Sequence, residues 1–342
     1  MATFLTTSKM SPELAARVEA SVSGRPAKAK ANSARRTRRL VSLARLVLVA
    51  TTLGGVYNIV NGRRESKRAL ERTRASLLES VRAESASLPP EHHAAVPRAT
   101  TWIEKLARNY EGDFIASELV APGAFKATLS RPIVYARGSL DALTHQEQIP
   151  EAAAASTKDA FVLCLLEPPA SRTEATLLDK ARAAYAGGAS GGSNFEARTA
   201  NVRRLNDAVV GLPFLLPAWS KSVEQAETTA DLARLRTEFE RAPIARAKQA
   251  AAAGLLLVTI DEPGDNKGPT ELDGERPHPV RVALVDLDGS RVLLRARHDV
   301  DPNWISQARR PTYASGLDSC ALALDVHEDV QKAGAATSAT KK

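Results

Sequence analysis

The chain has 342 residues, with 47 Lys and Arg against 39 Asp and Glu and a formal net charge of +8. At 44% hydrophobic and 25% charged it has the composition of a folded protein, which excludes collagen-like, coiled-coil and wholly disordered classes. Aromatic residues make up 4%, so the core has to be built from Leu, Val and Ala, and base-stacking platforms are not expected.

The positive charge lies at the N-terminus. Residues 1–39 carry nine basic and two acidic residues, and residues 40–82 carry eight and three; the rest of the chain holds 30 basic against 34 acidic residues. The large C-terminal part is therefore mildly acidic and repels a phosphate backbone, so no nucleic-acid partner is expected. Residues 1–39 read as a basic disordered tail. Leu40–Val60 follows, 21 residues with Arg45 as the only charge. As a helix it spans about 31 Å, one hydrocarbon core. It is bracketed by Arg35-Arg36-Thr37-Arg38-Arg39 and Arg63-Arg64-Glu65-Ser66-Lys67-Arg68. Arg45 lies near enough to one end to reach the headgroups, and Tyr57 falls at the other interface. Val56-Tyr57-Asn58 offers no small-residue cleavage site, so the segment is expected to be an uncleaved, single-pass transmembrane anchor whose partner is the bilayer. Both flanks are basic. A short, strongly basic tail resists translocation more than a large domain does, so the N-terminus is expected in the cytoplasm and the C-terminal domain outside it. Cys164 and Cys320 suit either side, as one disulfide or as two buried thiols.

Residues 61–88 contain no Pro, and no Gly after Gly62, and read as a juxtamembrane helical stalk with Leu70, Leu77, Val81 and Leu88 along one side. That stripe is sparse; it predicts a solvated stalk, with homo-oligomer formation through it as the less favoured reading. The soluble domain is expected over 89–332. After Pro89-Pro90 come His92-His93, a poor metal pair without partners at ligand spacing. A helix is predicted over 100–110, then an edge strand over 126–137 around Pro132. Phe161–Leu166 is a continuous apolar run that predicts a buried strand. Ser171 and Glu174 have capping-box spacing for a helix over 172–186. The Gly-rich stretch 187–193 follows a helix and lacks a Lys, so it reads as a connector rather than a phosphate loop. Helical stretches are predicted over 195–210 and 222–252, the second capped by Ser222 and Gln225 and divided at Pro243. Gly254–Ile260 predicts a second buried strand. The loop from Asp261 to Pro279 is acidic and reads as solvated, without the regular alternation of a calcium loop. A helix is favoured over 315–331, and 333–342 is expected to be a disordered tail.

One stretch carries the pattern of chemistry. Val282-Ala-Leu-Val-Asp286-Leu-Asp288-Gly289-Ser290 resembles the first motif of the haloacid-dehalogenase-like phosphotransferases, a hydrophobic strand ending in Asp-x-Asp-Gly-Thr/Ser. That resemblance implies Asp286 as nucleophile, Asp288 as acid/base and a bound magnesium. A hairpin accounts for more of the residues. Asp288-Gly289 is the favoured pair for a type I′ turn between strands 280–287 and 290–298, which sets Asp286 opposite Arg291. In that register Ala283, Val285 and Leu287 share an apolar face with Val292, Leu294 and Ala296.

These readings predict an α+β or α/β soluble domain with a small mixed sheet and a late β-hairpin, behind a single N-terminal transmembrane helix. No paired acid and base, metal cluster or phosphate loop emerges, so no catalytic residue, cofactor or metal is assigned. The expected function is binding, sensing or assembly of an envelope complex with protein partners. The alternative is a membrane-tethered hydrolase or phosphotransferase using Asp286 and Asp288.

Overall fold

The computed structural model describes residues 26–185, 193–263 and 276–340, with Glu13 and Arg17 besides. The chain divides into two compact units, Met1–Arg72 and Thr73–Lys342.

In the first unit the described chain is helical from Pro26, in a helix that ends at Ala86 and so takes in the latter part of the expected tail. Leu48, Val49 and Tyr57 are exposed at 66%, 52% and 66%. The hydroxyls of Thr51 and Thr52 donate back to the Leu48 carbonyl at 3.0 and 2.9 Å, so neither needs an outside partner. Most side chains between residues 40 and 60 lie outside the described residues. Among the described residues no helix is long and apolar enough to cross a membrane.

The second unit is an α+β domain built on one mixed six-stranded sheet. Its strands are β1 (Phe114–Ile115), β2 (Ile133–Ser139), β3 (Val202–Arg204), β4 (Leu255–Asp261), β5 (His278–Asp286) and β6 (Arg291–Val300), in the order β1-β6-β5-β4-β2-β3. β2 runs parallel to both β3 and β4, and the remaining pairs are antiparallel. Alternate residues of a strand point to opposite faces. On one face Ile133, Tyr135, Leu255, Leu257, Val280, Val282 and Leu284 form a core with residues of the helices Ala160–Leu166, Glu174–Tyr185 and Arg310–Thr340. On the other, Val134, Ala136, Leu256, Val258, Ile260 and Val285 are also buried. The helices Ala95–Arg108, Leu140–Thr144, Ile149–Ala155, Leu205–Gly211 and Ile244–Ala251 reach the strands there. Burial on both sides is why β4 reads as an unbroken apolar run.

From Thr73 onward the long helix belongs to this unit. Leu77 and Val81 are buried, as is Leu88 just beyond the helix end. Arg74 Nη2 donates to the Ala226 carbonyl at 2.7 Å and Ser85 Oγ to that of Leu215 at 3.0 Å. The segment expected as a solvated stalk is thus docked over its second half, where Leu77, Val81 and Leu88 join the buried core.

Several local expectations are corrected. Phe161–Leu166 is a helix, not a strand: Asp159 caps it by accepting from Val162 N at 3.3 Å, and packing on all sides makes its apolar run continuous. β2 is central rather than an edge strand, because Pro132 stands just before the ladder, where its missing N–H removes no bond. The 174–185 helix is capped by Thr173, whose Oγ1 accepts from Thr176 N, and not by Ser171. The capping box further along is Thr228 with Asp231 rather than Ser222 with Gln225. The stretch 195–210 is broken by β3, and 222–252 is divided before Thr229 as well as at Pro243. The last helix runs from Arg310 to Thr340, through most of the segment expected to be a disordered tail.

The hairpin forms with Asp286 opposite Arg291, as the spacing predicts. Its turn differs. Residues 287–290 make a longer loop, with Leu287 N donating to the Gly254 carbonyl at 2.8 Å and Ser290 in the left-handed region at φ 50°. A bulge between Leu284 and Val285 sets Leu284 opposite Leu294 and Ala283 opposite Arg295. The single shared apolar face is therefore not formed; both faces are covered, so neither needs to be polar.

Candidate functional site

Period-2 alternation places Arg137 of β2 on the same face as Tyr135, and His278 of β5 on the same face as Val280. Asp261 ends β4. The carboxyl ends of the parallel strands β2 and β4 and the start of antiparallel β5 therefore meet, and these three side chains come together there. In open α/β sheets this is the edge where ligands bind.

Arg137 is the centre of the group. Its Nε and Nη2 donate to the two oxygens of Asp261 at 2.9 and 2.6 Å, a bidentate pair, and Nη1 donates to Asp159 Oδ2 at 2.8 Å and Ser319 Oγ at 3.0 Å. The Tyr135 hydroxyl lies 3.4 Å from both oxygens of Asp159. His278 Nε2 stands 3.2 Å from Asp261 Oδ1, with Nδ1 2.9 Å from the Arg276 carbonyl. Burial opposes the charge on Asp261, but Arg137 and His278 beside it outweigh that and hold the carboxyl below its ordinary value. Burial likewise opposes a charged His278, and the hydrogen bonds to Asp261 and Arg276 outweigh it, raising the imidazole. Burial and the neighbouring Asp159 push the Tyr135 phenol well up, so it stays protonated. Four of the five guanidinium N–H groups are taken. A network paired to this extent locks β2, β4, β5 and the 160–166 and 310–340 helices together.

Beside it, Asp318 of the last helix is buried, at 3% exposure. Its Oδ1 accepts from Trp304 Nε1 at 3.1 Å, and its Oδ2 has no partner. Burial pushes this carboxyl up to about 7. It lines a pocket of about 130 Å³ with Arg172, Asp299, Asp301, Trp304 and Asp325. A larger, apolar cavity of about 540 Å³ is lined by Leu119, Phe125, Leu129, Leu165, His327 and Val330. There His327 Nε2 lies 2.8 Å from the Leu165 carbonyl, and burial lowers its pKa and favours the neutral ring.

Asp261 and Glu262, expected in a solvated loop, are buried. Glu262 pairs with Arg281 and, at 2.8 Å, with Arg297. The other acids of that loop, Asp265, Glu271, Asp273 and Glu275, lie outside the described residues, as do residues 187–192 of the Gly-rich connector. His92 and His93 sit in a 3-10 turn, and among the described residues no group of His, Cys, Asp and Glu is arranged to hold a metal.

Asp286 and Asp288 are occupied by the hairpin. Asp286 Oδ1 accepts from Gly289 N at 3.0 Å, and Oδ2 lies 3.7 Å from Arg291. A Cβ at residue 289 would stand 2.9 Å from Asp286 Oδ2, so a larger residue there requires the carboxylate to shift. Asp288 is an exposed carboxylate 3.8 Å from Arg98. These are the contacts of a turn, and they supply no acid/base partner.

Cys164 and Cys320 form a disulfide, with Cα atoms 5.2 Å apart, between the Ala160–Leu166 and Arg310–Thr340 helices. Both residues are fully buried.

Sequence reasoning missed the Arg137 network because its members are far apart in the chain; Arg137 and Asp261 are separated by 124 residues. The available signal was one charged residue in each of two largely apolar strands, Arg137 within β2 and Asp261 at the end of β4. Compared with protein-family models, curated proteins and solved structures, the chain matches none.

Proposed function

We propose that the chain is a single-pass membrane protein, anchored by Leu40–Val60 with its N-terminus in the cytoplasm. Its C-terminal domain lies outside the cytoplasm and serves binding, sensing or assembly of an envelope complex. The observation that carries this reading is the Cys164–Cys320 disulfide, since structural disulfides persist in oxidising compartments and are rare in the cytosol. Two features add support. Leu48, Val49 and Tyr57 are exposed on a helix in which the Thr51 and Thr52 hydroxyls are bonded within the helix, as hydrocarbon requires. The domain also holds an apolar cavity of a size that suits a small ligand, whereas the Arg137 cluster is largely paired within itself.

The test is sidedness, read as the mass shift from a membrane-impermeant polymeric maleimide, with denaturant to open the buried cysteines after quenching. The expected result is thiols that stay unmodified until reductant is added, in a domain that external protease reaches in intact cells. Free thiols, with a domain that protease reaches only after the membrane is opened, would overturn the reading.

A further inference from the structure

We propose that the pocket between the end of β6, the Pro302–Trp304 turn and the Arg310–Thr340 helix binds a primary ammonium group, such as the amine end of an aliphatic ligand. This supplies a ligand class to the binding role proposed above and rests on that reading only in giving the domain a ligand; membrane sidedness does not enter it.

Charge comes first. Asp299, Asp301, Asp318 and Asp325 line the pocket with a single cation, Arg172, and Arg172 is already paired with Asp325. The second observation is Asp318 itself. It is 97% buried by its 3% exposure, and Oδ2 is without a partner although Oδ1 holds the Trp304 indole N–H. Ionised, the carboxylate leaves a buried acceptor unsatisfied; protonated on Oδ2, it leaves a buried O–H with nothing to receive it. Either state lacks a group that the pocket has to supply. An ammonium supplies three donors and the opposite charge.

Geometry selects among cations. A hard metal ion needs several oxygen ligands converging on one point, and among the described residues no three His, Cys, Asp or Glu side chains are placed to hold one. An organic ammonium needs only donors spread over separated acceptors. Trp304, whose N–H is fixed on Asp318, stands at the pocket wall with 40% of its surface exposed, which leaves ring area available for a cation. A volume of about 130 Å³ admits an ammonium and a few methylene groups.

The experiment uses the full-length protein in detergent micelles, titrated with n-butylammonium chloride and followed by calorimetry and indole fluorescence. Trp304→Phe assigns the fluorescence change. We expect saturable binding that Asp318→Asn weakens about tenfold or more, the loss due to a charge-assisted hydrogen bond. Asp288→Asn, which removes an exposed charge elsewhere, should leave affinity unchanged. If Asp318→Asn fails to fold, Asp301→Asn replaces it, with a loss of about twofold to threefold expected for a rim charge. Absence of saturable binding up to about 10 mM overturns the proposal. Equal affinity for tetramethylammonium, which has no N–H, or tighter binding of magnesium that Asp318→Asn abolishes, overturns it as well. Each of these leaves the sidedness result standing, so the two readings fail separately.

Discussion

Arg137 shows what a single buried charge does in this domain. It neutralises two carboxylates at once, and removing it strands both in a site with little water. Arg137→Met is therefore expected to cost about 3–5 kcal/mol in urea denaturation, and Arg137→Lys to recover little, because an ammonium does not reproduce the bidentate pair with Asp261. Asp318 behaves in the opposite sense. Its folded pKa of about 7 lies above that of an unfolded Asp, so the folded state loses stability as pH rises from about 4 through 7. Asp318→Asn should match the wild type near pH 4 and exceed it by a few kcal/mol at about pH 8, read as the urea midpoint across that range. His278, raised by Asp261, contributes stability that is full below about pH 6.5 and is lost as pH climbs through its folded pKa. His278→Gln should flatten that part of the curve.

At the scale of elements, local chemistry was legible where it acts locally. β4 and the Asp286–Arg291 hairpin pair follow from apolar continuity and from a short turn, both contained within a few residues. Phe161–Leu166 was misread because an apolar run buried on all sides has no period to distinguish a helix from a strand. Asp286 makes the contacts of a turn, so Asp286→Ala is expected to lower stability by about 1 kcal/mol and no more, checked by thermal melting. The disulfide joins two helices across a sequence separation of 156 residues. Replacing Cys164 and Cys320 together by Ala should cost about 2–5 kcal/mol, measured against the oxidised wild type.

For the whole molecule, the compact domain begins at Thr73, inside the helix rather than after it. A fragment of residues 73–342 is expected to melt cooperatively. One starting at residue 89 loses Leu77, Val81 and Leu88 from the core, each worth about 1.5–3 kcal/mol, and should lose that cooperativity, as circular dichroism will show. The sequence by itself determined the asymmetry of charge, the apolar stretch Leu40–Val60, and an α+β or α/β domain with a mixed sheet and a late hairpin. Those properties are sums over neighbouring residues or patterns within one segment. Only the tertiary structure decided that Arg137 meets Asp261, Asp159 and Ser319, that Cys164 meets Cys320, and that Asp318 faces a pocket beside Trp304. Such contacts depend on which strands pair and which helices cover them, and nothing in the spacing along the chain encodes that choice.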